Sequence, residues 1–248
     1  MPVSGGDVGD SPSWRITTWN VQGAFGLNVA FVCAHIRAEE TNVVVVQEVT
    51  ARQAKRISAL LHMHHVWARK HTPFPSRSEG LAILTSHRLT ATETRIITRA
   101  MPWSWRRRIL LRAHITNDTG ESIDVINVHL SAHNATQRRG VELAQVVSLH
   151  PDIIAGDFNS ELSDLSGLPG PFAPGPGASN FFDATEDTGP TGWTPGPRRG
   201  RLPTLRLDGF LVSNMTATDP HTPSADLDQW GEISDHLPVT VSVERIAR

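Results

Sequence analysis

The chain has 248 residues, of which 39% are hydrophobic, so it is long and apolar enough to bury a sizeable core. Its formal net charge of -2 excludes a global electrostatic field that would attract nucleic acid or an acidic membrane. Cys33 is the single cysteine, which excludes an intrachain disulfide framework and a cysteine-rich metal site and favours a reducing compartment.

The amino-terminal residues 1–13 are rich in Gly, Ser, Pro and Asp and contain neither a basic start nor an apolar stretch. This composition is typical of a flexible tail rather than a signal peptide. No apolar run approaches the roughly 18 residues that suggest a membrane-spanning helix. We therefore expect a cytoplasmic monomer without a membrane span.

Short β-branched or apolar runs predict at least eight strands, and three segments with helical spacing predict helices. The strands are predicted at 15–19, 43–46, 81–84, 109–115, 123–128, 153–155, 207–212 and 239–243. The helices are predicted at 28–40, at 51–61 after the candidate cap Thr50, and at 134–149. Because long stretches contain strands only, this order favours a sheet-rich α/β or α+β layered fold over a regular doubly wound one.

Residues 163–206 interrupt this pattern, because the segments 167–177 and 188–203 are dense in Gly and Pro. We interpret the whole stretch as a long loop. A disordered linker between two domains is the alternative, but only about forty residues follow it, too few for an independent core. We therefore expect residues 14–248 to form a single domain.

Polar side chains follow several of the predicted strands. Strand 153–155 leads through Gly156 to Asp157 and Asn159, which would share one face. In isolation, an Asx turn, in which these side chains bond their own backbone, is the simpler interpretation. The arrangement recurs, however, because Glu48 follows strand 43–46, and Asn20 and His129 close two further strands.

Taken alone, Glu48 fits a solvated strand end equally well, and His129 fits a structural histidine better. Two more acidic positions join the set, because Asp235 and His236 precede the last strand and Asp208 lies near the start of strand 207–212. Carboxylate and amide oxygens suit Mg²⁺ or Mn²⁺, whereas zinc prefers more His or Cys ligands. The set predicts a magnesium-like site.

Six motifs, taken together and in order, resemble those of the endonuclease/exonuclease/phosphatase superfamily from about residue 15 to residue 243. They are Thr18-Trp19-Asn20-Val21, Gln47-Glu48, Asn127-Val128-His129-Leu130, Gly156-Asp157-Phe158-Asn159, Arg206-Leu207-Asp208 and Ser234-Asp235-His236. The resemblance implies a four-layer sandwich of two mostly antiparallel sheets flanked by helices. It also implies a phosphoester hydrolase that uses Mg²⁺, with Mn²⁺ as the alternative cofactor.

The resemblance implies roles for the residues at the metal and at the water. Glu48 resembles the principal metal ligand, with Asn20 and Asp235 nearby, and Asn20 would also lie close to the substrate. Either Asp157 or His236 would deprotonate or orient the attacking water, and the sequence leaves that choice open. By the same resemblance, Asn159 would hold the water or a phosphate oxygen, and Asp208 would pair with His236.

A second group of residues would contact the substrate phosphate. His129 resembles a second active-site histidine, with Glu79 as its carboxylate partner, and Arg107 or Arg108 falls where some relatives bind phosphate. For Glu79 and the arginines, a solvated strand start is an equal alternative. The chain contains no tyrosine, so the phenol that several relatives use near the phosphate has no counterpart, and His129 could take over its role.

The substrate is less well defined by the sequence. Trp103, Trp105 and the arginines at 106–108, together with the arginines at 198–201, would suit a nucleic-acid groove. Tryptophans that cap the core and arginines that are solvated form the alternative. Three functions follow: a nuclease that cuts DNA or RNA, a phosphatase or phosphodiesterase for a small metabolite or lipid head group, and a catalytically silent binding module.

Overall fold

The computed structural model describes residues 14–23, 26–71, 78–99, 107–132, 135–166, 181–195, 198, 200–224 and 227–246. The predicted tail at 1–13, Trp103 and Trp105, and the segment 167–177 lie outside these ranges. Within them, no helix combines the length and the hydropathy that crossing a bilayer requires.

The described ranges contain twelve strands and five helices. The strands are β1 Trp14–Asn20, β2 Val43–Val49, β3 His64–His71, β4 Glu79–Thr85, β5 Arg88–Arg99, β6 Arg107–Thr116, β7 Ser122–His129, β8 Ile153–Asp157, β9 Phe181–Asp183, β10 Asp208–Ser213, β11 Met215–His221 and β12 Val239–Arg245. The helices are α1 Val29–Ala38, α2 Ala51–Leu61, α3 Thr136–Val147, α4 Leu162–Ser166 and α5 Leu227–Ile233.

Two six-stranded sheets form the centre of the fold, in the orders β11-β12-β1-β2-β4-β3 and β5-β6-β7-β8-β10-β9. Most neighbouring strands are antiparallel, but β1 pairs with β2 and β7 pairs with β8 in parallel. Apolar residues of both inner faces meet between the sheets, while α1 and α2 cover one outer face and α3 and α4 cover the other. The predicted four-layer α/β sandwich is confirmed.

Local sequence determines where the first two helices begin. Asn28 accepts a hydrogen bond from the amide of Phe31 at the start of α1. Thr50 caps α2, which confirms the prediction from the sequence, and it forms a reciprocal capping box with Gln53. The apolar faces of both helices then pack on β2 and β4, and Cys33 is buried in this layer.

The main differences from the sequence prediction lie at the edges of the sheets. Strands β3, β5 and β11 were not predicted, because edge strands expose polar and charged side chains and lack a buried apolar run. The segment 163–206 is not loop throughout: α4 lies at its start, and β9 extends the second sheet by pairing with β10. Such short elements carry no periodic signal.

A buried polar clamp joins the two sheets below their shared edge. The Gln47 side chain donates to Asn127 Oδ1 across the sandwich at 2.9 Å. Asn127 in turn donates to the carbonyls of Val46 at 3.0 Å and Ala82 at 2.9 Å. Because Gln47 precedes Glu48 and Asn127 lies two residues before His129, the clamp fixes the relative positions of these two strand ends.

Gly156 is required by a close approach of backbones between β7 and β8. Its φ is +145°, and a Cβ atom would lie 2.0 Å from the carbonyl oxygen of Val128. We expect Gly156→Ala to lower the free energy of unfolding by about 3 kcal/mol or more, since both strain and a backbone clash arise. Urea denaturation measures this loss.

Gly120→Ala is the matched control for that substitution. Gly120 also has a positive φ of +87°, but a Cβ atom there would meet nothing within 4 Å. Gly120→Ala should therefore lower the free energy of unfolding by only about 1 kcal/mol, which is the cost of left-handed backbone strain. Equal losses in the two variants would mean that the contact with Val128 relaxes without cost.

Candidate active site

The strand directions bring most of the predicted residues to one edge of the sandwich. Parallel strands β1 and β2 end at this edge, as do β7 and β8, and β10 begins there because Asp208 pairs with Asp157. The segment before β12 returns to the same edge. The side chains gathered there are those of Asn20, Glu48, His129, Asp157, Asp208, Asp235 and His236.

Asp157 contacts several of these side chains. Its Oδ2 accepts a hydrogen bond from Asn20 Nδ2 at 2.9 Å. The same oxygen lies 3.6 Å from His129 Nε2 and 3.9 Å from His236 Nε2. Burial raises the pKa of the Asp157 carboxyl and the neighbouring Asp208 adds to this, while His236 and the hydrogen bonds from Asn20 and Asn159 oppose it.

The Asx-turn interpretation of the Asp157-Phe158-Asn159 motif also holds. Asp157 Oδ1 accepts the backbone N–H of Asn159 at 2.8 Å, and Asn159 adopts a left-handed φ of 52°. The Asn159 amide donates to the carbonyl of Leu130 at 3.1 Å. One oxygen of Asp157 therefore shapes the turn, which leaves the other oxygen directed at Asn20 and the histidines.

His236 and Asp208 form the predicted pair. Their Nδ1 and Oδ2 atoms are 2.7 Å apart, and both side chains are buried. Burial alone would lower the pKa of His236, but the charges of Asp208, Asp157 and Asp235 and the hydrogen bond to Asp208 together raise it to about 10. The raised pKa favours the charged form of His236, whose Nε2 faces Asp157 at 3.9 Å.

Thr191 holds the His236–Asp208 pair in place and was not identified from the sequence. Its hydroxyl donates to Asp208 Oδ2 at 2.7 Å and accepts from the amides of Leu207 at 3.0 Å and Asp208 at 3.1 Å. The next residue, Gly192, forms bridges to both Leu205 and His236. Part of the segment predicted as loop therefore supports the edge of the sandwich.

Replacing Thr191 by Val should loosen Asp208 without removing any charged group. We expect turnover to fall about 10- to 100-fold, as for other groups that hold a reacting side chain. Stability should fall by about 1–3 kcal/mol, because buried amides lose their acceptor. Steady-state kinetics and urea denaturation measure the two effects. Thr191→Ser, which keeps the hydroxyl, should restore most of both, and failure to do so would contradict this role.

Glu48 lies at a β-bulge of β2. The register with β4 shifts between Gln47 and Val49, and Glu48 has a left-handed φ of 54°. Bulges commonly re-aim a side chain next to a functional site. Burial raises the pKa of Glu48 to about 7, with Lys70 opposing and Glu79, Asp157 and Asp235 adding to the shift. Glu48 therefore lies in a crowded acidic region.

Asp235 completes this acidic region. Gln22, in the loop after β1, donates to Asp235 Oδ2 at 2.9 Å, and its backbone N–H donates to Asn20 Oδ1 at 3.2 Å. Gln22 thus connects two of the three predicted metal ligands. Asp157, Asp208 and His236 form another candidate set, because each offers one ligand atom and the three atoms lie within 4.8 Å of one another.

His129 has an unexpected cationic neighbour. Its Nδ1 lies 3.2 Å from Lys70 Nζ and 3.8 Å from Glu48 Oε1. Lys70 Nζ also lies 3.5 Å from Glu79 Oε1, and both of these side chains are buried. Lys70 therefore contacts each member of the predicted His129–Glu79 pair, and the direct pairing of those two stays a prediction.

The two candidate phosphate-binding arginines occupy different positions. Arg107 donates to the backbone carbonyls of Lys70 at 3.1 Å and Arg69 at 3.2 Å, which ties β6 to the edge strand β3. Arg108 donates to the carbonyl of His129 at 3.3 Å. Arg108 thus lies beside the strand end that carries His129, whereas the Arg107 guanidinium lies on β3.

The sequence did not predict three polar residues that contact the candidate site, namely Lys70, Gln22 and Thr191. Lys70 lies on a strand without an apolar pattern, Gln22 lies in a loop, and Thr191 lies in the Gly- and Pro-rich segment. None belongs to a recognisable motif. Of the three, only Gln22 could have been predicted as part of the site, because it lies two residues after Asn20.

The layer order and the two sheets define a deoxyribonuclease I-like α/β sandwich. A family model described as "Endonuclease/Exonuclease/phosphatase family" matches residues 17–236. Because this match covers most of the sequence, the chain belongs to that family. A search of curated protein sequences found no significant match.

Several solved structures share the fold at low sequence identity. An endonuclease/exonuclease/phosphatase from Beutenbergia cavernae is 20% identical, with a TM-score of 0.72 over 94% of this chain and 72% of that one. D. rerio TDP2, complexed with a single-strand DNA product, is 20% identical, with a TM-score of 0.68 over 94% of this chain and 99% of that one. A Bacteroides thetaiotaomicron mannosyl-6-phosphatase is 14% identical, with a TM-score of 0.68 over 92% of this chain and 98% of that one.

Proposed function

We propose that this chain is a divalent-cation-dependent phosphodiesterase that cuts DNA or RNA by attack of water on phosphorus. One observation carries the proposal: the buried Asp157 carboxylate faces one amide and two imidazoles at the strand-end edge where Glu48 also lies. A buried carboxyl with a raised pKa suits a water-activating base, and the amide and imidazoles around it suit a bound phosphate.

Glu48, Asn20 and Asp235 would hold the cation. The crowding of Glu48 by Glu79, Asp157 and Asp235 supports this assignment, because like charges gathered in one place favour a bound cation. The donor atoms are oxygens, which suit Mg²⁺ or Mn²⁺. When bound, the cation would neutralise charge on the phosphate and on the leaving oxygen.

Asp157 is proposed as the base and His236 as a fixed cation. The His236–Asp208 hydrogen bond leaves Nε2 of His236 free to donate to a phosphate oxygen. In the reaction, the water oxygen bonds to phosphorus, its proton passes to Asp157, the ester P–O bond breaks and the leaving oxygen takes a proton from solvent. Asn159 and Arg108 would orient the water and the phosphate.

Nucleic acid is the preferred substrate class because the chain shares its fold with a protein solved with a single-strand DNA product. A small phosphate ester of a metabolite or lipid head group is the second candidate. The net charge of -2 and the fold shared with a mannosyl-6-phosphatase favour this alternative. Both candidates use the same proposed cation, base and histidines.

A substrate panel tests the proposal. Purified protein with Mg²⁺ or Mn²⁺ should be assayed on plasmid, single-stranded DNA, RNA, abasic duplex, nucleotides and phosphomonoesters. We expect cleavage of a nucleic acid that stops with EDTA. Hydrolysis of monoesters alone would favour the second candidate, and no hydrolysis by folded protein would favour a binding module. Protein that carries both Glu48→Gln and Asp157→Asn and is purified in the same way serves as the control, because cleavage that survives the loss of both carboxylates indicates contamination.

A further inference from the structure

Lys70 is one of two lysines, with Lys55, among the 23 Lys and Arg residues of this chain. Its ammonium is nearly inaccessible, with 4% of the side chain exposed. Lysine is almost never fully buried unless it is paired. A compact ammonium also differs from the planar guanidinium that this sequence uses at nearly all other cationic positions. Its burial beside His129 therefore calls for a specific role.

The backbone at Lys70 is held in an unusual way. The register between β3 and β4 shifts between Arg69 and His71, so Lys70 lies at a β-bulge. Its carbonyl accepts a hydrogen bond from Arg107 instead. A bulge next to a polar site can direct a side chain away from the regular strand pattern. The contact with Arg107 therefore gives that residue a supporting role for Lys70.

We propose that Lys70 is a positioning residue that fixes the protonation pattern of His129, so that His129 donates a hydrogen bond to the substrate phosphate through Nε2. An ammonium group has three N–H donors and no acceptor. Burial lowers the pKa of Lys70, whereas the nearby carboxylates of Glu48, Glu79 and Asp157 favour its charged form. With a charged Lys70 Nζ at 3.2 Å, His129 Nδ1 is the acceptor. The single proton of a neutral imidazole then lies on Nε2.

Glu48 Oε1 also faces Nδ1 of His129, but at 3.8 Å it lies beyond hydrogen-bonding distance, whereas Lys70 Nζ lies within it. Glu79 lies 3.5 Å from the ammonium and holds its charge and position. Nε2 of His129 lies 3.6 Å from the same Asp157 oxygen that Asn20 and His236 approach, so an N–H there faces the edge at which the phosphate is proposed to bind. His129 would thereby supply a neutral donor in a chain that has no tyrosine.

The protonation pattern can be measured without substrate or metal. Imidazole ¹⁵N spectra of EDTA-treated protein should show Nδ1 of His129 as unprotonated and Nε2 as protonated, with the signals assigned by their loss in His129→Asn. In Lys70→Met, the proton should move to Nδ1 or the ring should become charged. The exposed Lys55→Met serves as the matched control and should leave the His129 signals unchanged.

Protonated Nδ1 in the wild-type protein would overturn the inference, and so would an unchanged pattern in Lys70→Met. The wild-type spectrum decides alone if Lys70→Met does not fold. A second readout rests on the proposed function: Lys70→Met should lower kcat about 100-fold, as for loss of one positioned donor, with little change in KM. If no phosphoester is cleaved by the wild type, the proposed function fails while the spectra still test Lys70.

Discussion

Asp157→Asn should lower kcat by about 10³-fold while leaving the fold intact. The amide keeps the shape of the carboxylate, and its oxygen can still accept the Asn159 N–H that closes the turn. It cannot accept a proton from water. Its nitrogen would also face Nδ2 of Asn20, so a hydrogen bond becomes a contact between two donors. Steady-state kinetics on the substrate identified by the panel measure the loss.

Stability provides a second readout for Asp157→Asn. The new contact between two donors at Asn20 is destabilising, and relief of the buried charge, which the raised pKa of Asp157 indicates, offsets part of that cost. The unfolding free energy should therefore fall by about 1–3 kcal/mol. A loss of activity much larger than this loss of stability is the expected mark of a residue that acts in the chemistry.

Asp152→Asn is the matched control on the same strand segment. Asp152 lies just before β8, at the end of that strand opposite to Asp157, where it pairs with Arg245 at 3.0 Å. Its substitution should leave kcat unchanged, because Asp152 lies beside the end of β8 that is away from the site. It should also cost only about 0–1 kcal/mol of stability, as for other partly exposed ion pairs. An Asp157→Asn enzyme that keeps about a tenth of the wild-type kcat would remove Asp157 as the base.

The sequence predicted the buried part of this fold well for a physical reason. Strands such as β2 and β8 are buried on both faces and therefore read as continuous apolar runs. Strand β5 is exposed along most of its length, and its polar residues left no signal. Pairing with β6 in the sheet, rather than local pattern, makes that segment a strand.

The same distinction applies to the candidate site. Residues such as Glu48, His129 and Asp157 could be predicted because each follows an apolar strand, which marks its position along the chain. Lys70 and Thr191 could not, because their importance comes from contacts with residues far away in sequence. Lys70 contacts His129, and Thr191 contacts Asp208, only when the strands of both sheets have assembled.

Glu48→Gln should lower kcat/KM for cation-dependent hydrolysis about 10³-fold, because one full charge at the cation is removed. The substitution keeps the size of the side chain and the bulge of β2. Without metal and above pH 7, where Glu48 is charged, the variant should unfold at a higher temperature than the wild type. Burial and the nearby Glu79, Asp157 and Asp235 disfavour the charged carboxylate and raise its pKa to about 7, and the substitution removes that charge. The two effects have opposite signs, which separates loss of function from loss of fold.

Thermal unfolding with EDTA and with Mg²⁺ tests whether Glu48 binds the cation. A ligand that binds the native state raises the unfolding temperature by mass action, so the wild type should be stabilised by Mg²⁺ and Glu48→Gln should not. Glu244→Gln, at the exposed end of β12, should respond like the wild type. A Glu48→Gln variant that keeps the full Mg²⁺ stabilisation would move the cation to Asp157, Asp208 and His236, the other group whose ligand atoms lie close together. Asp157 would then be a ligand, and the water would need a different base.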